Sequence, residues 1–412
     1  MSQPSLIDYA QALDLVLHHA PTPQVEVAPL KQLGGRVLAE PIIALRDHPA
    51  FTASAVDGFA ISETDRERLR GEPIELLVKA TLGPGESSDG ISVEHGCAIH
   101  VLTGACIPAG TAAVVMQEQA ELRGSALTLH GPAALGDHIR LQAEEFRLGD
   151  LIVPAGVFAH SGVIAAAAMT GKAEWQVGAV PRVALLVTGD ELFPPGSEAA
   201  EHAVFDTHTY ALGAALREIG IEPVHTARSA DTGIATTLAM REALGAATVV
   251  ITTGGVSGGE RDYVRRAMAT CGVVEVFAGV RMKPGRPAVF GVTRAAAPQY
   301  VFGLPGNPMA ALIAFATLVK PFLLKASGVA HPKPQLLPAT LATEVHKRPG
   351  VTEFVPVMLQ GVGGGLVAVP LQGRRSHMFG GLAMANGLAM LPEDSELIPA
   401  GGKIPVLRWG VA

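Results

Sequence analysis

The chain has 412 residues, 48% of them hydrophobic and 17% charged, against a usual charged share of ~25%; whole-chain disorder is excluded, and the length allows two to four domains. Lys and Arg number 31 against 38 Asp and Glu, a net charge of −7, which leaves no basic footprint and no expected nucleic-acid partner. The 47 Gly and 30 Pro show no Gly-X-Y period, so they mark turns and functional loops rather than collagen.

Cys97, Cys106 and Cys271 are odd in number and lack C-x-x-C spacing. Neither a disulfide framework nor a thiolate zinc site is readable, and a cytoplasmic setting is expected. No charged segment followed by an apolar one opens the sequence, and the longest apolar run, 309–319, is shorter than the roughly 18 residues of a membrane span. No membrane partner is expected.

In chain order, Ser5-Leu6-Ile7-Asp8 has the S-x-x-D form of a helix start, with Leu6, Ala10, Leu13 and Leu17 at helical spacing. His18 and His19 fall at its end, where histidine complements the helix dipole more often than it binds metal. From 47 to 147 short apolar runs broken by Gly and Pro (74–78, 98–102, 113–116 and 126–129) predict an inserted β-rich domain. A helix is expected at 161–169. The flanking pieces, 1–46 and 148–180, are expected to form one linking helical/β domain around the insert.

From 181 to 330 strands and helices alternate: strand 183–187, helix 206–219, strand 223–227, helix 232–244, strand 248–251, helix 263–271 and strand 273–277, then strands 288–291 and 300–303 and helix 309–324. That pattern predicts an α/β domain with a doubly wound, parallel sheet. A Pro-rich connector, 331–338, leads to strands expected at 341–345, 354–359, 366–369, 388–391 and 404–407, a C-terminal β-barrel-like domain spanning 331–412.

Ligands of open α/β sheets bind beyond the C-terminal strand ends, and three such ends here are unusual. One runs into Thr188-Gly189-Asp190-Glu191. Another opens the glycine loop Thr253-Gly254-Gly255-Val256-Ser257-Gly258-Gly259-Glu260, whose backbone N–H groups can line up on an anion. It matches neither the dinucleotide nor the P-loop signature, and its plain alternative is a flexible connection. The third is Leu304-Pro305-Gly306-Asn307-Pro308, in which Asn307 and Pro308 have the form of an N-cap and an N1 proline. Taken alone these are a capping device; facing the glycine loop they point to an anion site.

Glu191, Asp231 and Asp262, with Asp190, fall at the same sheet edge. Carboxylates beside a phosphate are how Mg²⁺ is usually held, although Asp231 and Asp262 taken singly read as helix caps, as Asp206 does. Lys283-Pro284-Gly285-Arg286-Pro287 places two cations on a stiff turn, either solvated or set to neutralise an oxyanion. In the insert, Asp57 and Thr103 stand beside glycines.

The segments SAVDGFA, LTGA followed by VVMQEQ, VTGDEL, TTGGVSGGERDY, MKPGRP and GLPGNP occur in an order that resembles the molybdopterin molybdenumtransferases of the MoeA and gephyrin E-domain type, over essentially the whole chain. The resemblance implies a homodimer of four-domain subunits, with 1–46 and 148–180 contributing to dimerisation and 181–330 a MogA-like molybdopterin-binding domain. It implies insertion of molybdate into adenylylated molybdopterin with release of AMP, Mg²⁺ as cofactor, and transient contacts with other molybdenum cofactor biosynthesis proteins. By the same resemblance Glu191, Asp231 and Asp262 hold metal and assist catalysis with Asp57 and Thr103. Gly254, Gly255, Ser257, Lys283, Arg286, Pro305, Gly306, Asn307, Pro308, Arg140, Arg374, Arg375 and Ser376 would contact substrate, and Asp57 and Thr103 would reach the cleft across the dimer.

Three motifs depart from the family pattern. Ala143 and Glu145 stand where R-x-x-G-E-D is usual, His208 ends Asp-Thr-His in place of D-T-N, and Val56 stands in S-A-M-D-G. A non-catalytic molybdopterin-binding or delivery paralogue is the alternative reading of the same fold, and a nucleotide-processing enzyme built on the α/β domain is the third.

Overall fold

The computed structural model describes residues 6–198, 201, 203–256, 262–371 and 379–410. The chain folds into two compact units, one built from 1–40, 155–161 and 174–412, the other from 41–154 and 162–173.

The first unit is organised by a six-stranded sheet. Strand Val183–Thr188 lies between His225–Ser229 and Val249–Thr253, and the order continues through Tyr300–Leu304, Val289–Thr293 and Val273–Ala278. All six residues of Val183–Thr188 are buried, because helices cover both faces and a strand dry on both sides reads as a continuous apolar run. Val183 and Leu185 face one core with Leu212, Leu216, Phe302 and Phe322; Ala184 and Leu186 face another with Met240, Ala243, Val264 and Met268. The buried rings of Phe290, Phe302 and Phe322 lie 4.7–5.9 Å apart, each burial contributing about 1.5–3 kcal/mol.

The sheet is doubly wound but not wholly parallel. Its first four strands run parallel, whereas Val289–Thr293 pairs antiparallel with both Tyr300–Leu304 and Val273–Ala278. The reason is local: the six residues 294–299 make a hairpin, and a parallel return needs a crossover of about a dozen or more.

Helix Tyr9–His19 begins later than Ser5. Asp8 is its N-cap, accepting from the Gln11 N–H, and Ala12, Leu13, Val16 and Leu17 pack into the first sheet core. The second long segment is helical over His208–Arg217, shorter at both ends than expected. Helix Pro308–Ala326 extends past the apolar run seen in sequence; its 19 residues and mean hydropathy of 1.7 match the length and composition of a membrane span, but 78% of that window is buried inside the fold.

Strands Leu336–Leu341, Thr352–Val362, Gly365–Pro370, Gly387–Leu391 and Lys403–Arg408 close into a barrel, the second pairing with the fourth to complete the ring. Ala339, Val355, Val357, Ala389 and Val406 fill it. The strand expected at 341–345 is instead the end of Leu336–Leu341 and a separate pair, Val345–His346. Among the strands not anticipated from sequence, Val280–Lys283 follows the last α/β strand in the sheet order, Val273–Ala278, and pairs in parallel with the barrel, Lys283 beside Glu353.

In the second unit the order is Ala113–Met116, Gly58–Ile61, Cys97–Val101, Ile74–Leu82, Ala126–Leu129, Ala120–Arg123. Phe59, Ile61, Leu76, Leu127 and Leu129 form the core of one face. A helix not read from sequence, Glu63–Arg68, is capped by Ser62.

Candidate functional site

The chain runs from Val183–Thr188 to His225–Ser229 on one side and returns to Val249–Thr253 on the other. The strand order therefore reverses between Val183–Thr188 and Val249–Thr253, where open α/β sheets leave a crevice. Thr188 donates its hydroxyl to the Thr253 carbonyl at 3.0 Å, drawing the two strand ends together. Gly254 follows at φ +85°, and a Cβ there would meet Thr188 Oγ1 at 2.6 Å and its carbonyl oxygen at 2.9 Å. Only glycine fits so close an approach. The Gly254 N–H donates to the Leu304 carbonyl at 3.2 Å, tying the glycine loop to the strand that feeds the 305–308 turn. Gly255 continues in the left-handed region at φ +58°. Ser257 lies outside the described residues, as do Arg374, Arg375 and Ser376.

Asn307 accepts from the Ala310 N–H at 3.1 Å and Pro308 sits at the helix start, the expected cap. Gly306 packs against Gly254, a Cβ on it reaching Gly254 Cα at 3.5 Å. His208 Nε2 lies 3.0 Å from the Gly306 carbonyl. Burial pushes the His208 pKa below the ordinary histidine value, against the opposite pull of that carbonyl and of the Asp206 and Glu191 carboxylates.

The acidic residues separate into two kinds. Asp206 caps: it accepts from the Thr209 N–H and hydroxyl at 3.1 and 2.6 Å. Asp231 and Asp262 do not cap by side chain, contrary to their simplest reading. Thr232 caps the helix after Asp231, and Asp262, 8% exposed, makes no capping hydrogen bond to Tyr263–Thr270. Asp190 accepts from the Asp231 N–H at 2.9 Å, joining two strand-end loops, and Glu191 follows it on the exposed turn. Among the described residues no three or more His, Cys, Asp or Glu side chains form a ready metal cage. Mg²⁺ does not require one, since one or two carboxylates suffice when substrate phosphate supplies other oxygens. The donors at this edge are hard oxygens, among them the Thr253 hydroxyl, buried without a hydrogen-bond partner among the described residues; this chemistry fits Mg²⁺.

A cleft of about 740 Å³ opens beside the 305–308 turn, lined by Lys283, Arg286, Pro305, Asn307, Arg348 and Glu353. Lys283 Nζ lies 3.2 Å from Glu353 Oε1, a carboxylate only 3% exposed. Arg286 and Arg348 are exposed and make no ion pair among the described residues. Arg348 and Glu353 were not anticipated; a single acid preceding the apolar residues 354–357 of a barrel strand was the only local signal. A second cleft of about 530 Å³ lies beside Phe315 and Trp409, and none of the expected site residues lines it.

In the second unit, Asp57 Oδ1 accepts both the N–H and the hydroxyl of Thr103, at 2.6 and 2.7 Å. The backbone donor first, and the hydroxyl second, hold its pKa below the ordinary carboxylate value. Gly58 is fixed by space, since a Cβ there would meet the Val115 carbonyl oxygen at 2.2 Å. Gly104, at φ +83°, donates its N–H to the Ser54 carbonyl at 2.8 Å, closing the two motifs on each other. Arg140, exposed, pairs by backbone with Ala53 on the strand before them. Ala143 stands at φ +59°, in the left-handed region that favours glycine, and Glu145 Oε2 lies 3.4 Å from His48 Nε2.

Three family models match consecutive stretches: the MoeA N-terminal region (domain I and II) at 7–171, a probable molybdopterin binding domain at 184–325, and the MoeA C-terminal region (domain IV) at 338–409. The molybdopterin molybdenumtransferase of Staphylococcus aureus is 32% identical over 95% of this chain and 93% of its own length. The chain belongs to the MoeA family of molybdopterin molybdenumtransferases. That of Staphylococcus epidermidis is 32% identical over 90% of this MoeA-family chain and 88% of its own. The crystal structure of a molybdopterin biosynthesis MoeA protein from Pyrococcus horikoshii superposes with a TM-score of 0.79 at 28% identity, covering 98% of this chain and all of the other.

Proposed function

We propose that this MoeA-family chain inserts molybdate into the dithiolene of adenylylated molybdopterin and releases AMP. The observation that carries the reading is the convergence at one sheet edge of the left-handed Gly254-Gly255 loop, the capped 305–308 turn and the cleft cations Lys283 and Arg286. Backbone N–H groups and a guanidinium suit a phosphorylated ligand, while the cleft suits a second oxyanion. Arg348 adds a cation to that cleft. The proposed cofactor is Mg²⁺, held by Glu191, Asp231 and Asp262; bound there with substrate oxygens it would neutralise charge on the leaving phosphate. Asp262 is the strongest of the three, because it is the most buried of them. Ser257, Arg374, Arg375 and Ser376 are proposed substrate contacts by resemblance alone, as is Arg140. Asp57 and Thr103 are proposed to serve the transfer, with Asp57 as the ionised form that its Thr103 hydrogen bonds favour. The working state proposed is a cytoplasmic homodimer with transient contacts to other cofactor-synthesis proteins.

The test is reconstitution. Purified protein with adenylylated molybdopterin, molybdate and Mg²⁺ should release AMP and yield active cofactor, and Asp262→Ala should abolish both. Tight binding without AMP release would select the delivery reading, for which Ala143, Glu145 and His208 are the motivating departures. Complementation of cells lacking their own transferase, with nitrate reductase activity as readout, decides the same question in vivo.

A further inference from the structure

His208 is the first residue of helix His208–Arg217 and only 4% exposed. A carbonyl oxygen accepts and never donates, so at 3.0 Å from the Gly306 oxygen the Nε2 atom must carry the hydrogen. The Gly306–Asn307 peptide is trans and planar, so its N–H points opposite to its carbonyl. Holding the carbonyl toward the ring therefore turns the Asn307 N–H to the other side, and Asn307 lines the cleft. That N–H has no acceptor among the described residues. Gly306 is meanwhile backed by Gly254 of the glycine loop. The peptide is thus clasped between a ring and a loop, with one polar edge left for a ligand.

We propose that His208 is a positioning residue, which sets the Gly306–Asn307 peptide for an anionic group of the substrate by donating from Nε2 to the Gly306 carbonyl. The inference rests on the transferase reading. Asn, usual in this motif, carries its amide nitrogen nearer the backbone than imidazole Nε2 and falls short of the carbonyl; Gln reaches further and can replace the ring donor. His208 touches no substrate atom itself.

The experiment compares wild type, His208→Gln, His208→Asn and His208→Ala with adenylylated molybdopterin, molybdate and Mg²⁺, reading kcat, KM for the pterin substrate, and Tm. The Asn and Ala variants should raise KM about tenfold with kcat changed less than about threefold, and Gln should restore KM to within about twofold. Equal KM in all four proteins, or a Gln variant as impaired as Ala, overturns the proposal. If Ala does not fold, Asn carries the comparison; if neither folds, the contact serves stability and the proposal also fails. Wild-type protein without turnover overturns the transferase reading instead, and the same four proteins are then compared by equilibrium binding of adenylylated molybdopterin, where no binding to wild type removes both.

Discussion

Thr103 donates its backbone N–H and its hydroxyl to one oxygen of Asp57, at 2.6 and 2.7 Å, leaving the second carboxylate oxygen outside that pair of bonds. Both bonds favour the charged form, and Asp57 titrates below the ordinary carboxylate value. A reaction that needs the carboxylate therefore persists as pH falls through the ordinary Asp range and is lost only on passing the depressed pKa. Thr103→Ala removes the smaller of the two contributions and keeps the N–H. The acidic limb of AMP release should shift to higher pH in this variant while the plateau rate falls. An unchanged limb, measured alongside the ¹³C titration of the Asp57 carboxyl, would remove Asp57 ionisation as the controlling event.

Ala143 holds a left-handed conformation, φ +59°, at the position where the family pattern has glycine. The side chain does not move the backbone out of that region, because the Ala143 N–H donates to the Pro49 carbonyl at 3.0 Å and Gln142 is bound to Thr52 and Asp47. An L residue there stores about 1–2 kcal/mol, and glycine gives back roughly 0.4–1 kcal/mol through its freer unfolded chain. Ala143→Gly should therefore stabilise by about 0.5–1 kcal/mol, seen as a higher urea midpoint at unchanged m. A lower midpoint would mean the strain is relieved elsewhere.

What local pattern encodes and what it leaves open can be separated here residue by residue. Val183–Thr188 was legible because burial on both faces writes itself as an unbroken apolar run. Val280–Lys283 was not: four residues followed by Pro284 carry too short an alternation, and Met282 finds its partner, Thr352, some seventy positions away. Leu336–Leu341 was misplaced because Pro338 argues locally against a strand, while its barrel neighbour across the ladder is Pro405. The site follows the same division. The Gly254-Gly255 loop and the Asn307 cap are local devices and were read directly. The Lys283–Glu353 pair and the His208–Gly306 contact depend on register and on long-range packing, so no spacing rule exposes them.

Gly254→Ala tests the crevice geometry. The added methyl would sit 2.6 Å from Thr188 Oγ1 and 2.9 Å from its carbonyl oxygen, in a backbone at φ +85°. Left-handed strain of about 1–2 kcal/mol and overpacking of about 1–3 kcal/mol predict a loss of roughly 2–5 kcal/mol, or loop displacement with lost substrate affinity. Gly245→Ala is the control. It lies within helix Gly233–Ala246 with nothing within 4 Å of the new carbon, and should stabilise by about 0.5–1 kcal/mol. Equal effects of the two substitutions would show that the strand ends are not in contact.

Lys283 and Arg286 stand on one turn but differ in what they touch. Lys283 pairs with Glu353, a carboxylate buried in the barrel wall, whereas Arg286 is exposed and makes no ion pair among the described residues. Removing the lysine withdraws a cation from a buried acid, which costs more than losing an exposed charge; because Lys283 itself is half exposed, the loss is nearer ~1 kcal/mol than the roughly 3–5 of a fully buried pair. Arg286→Ala should leave stability within about 0.5 kcal/mol. Both variants should raise the molybdate concentration needed for half-maximal AMP-coupled insertion, since each takes a cation from the same cleft. Chemical denaturation and a molybdate titration on each protein separate the two effects. A stability loss from Arg286→Ala equal to that from Lys283→Ala would place Arg286 in the structure rather than at the ligand, and an unchanged molybdate response in both would move the oxyanion site out of this cleft.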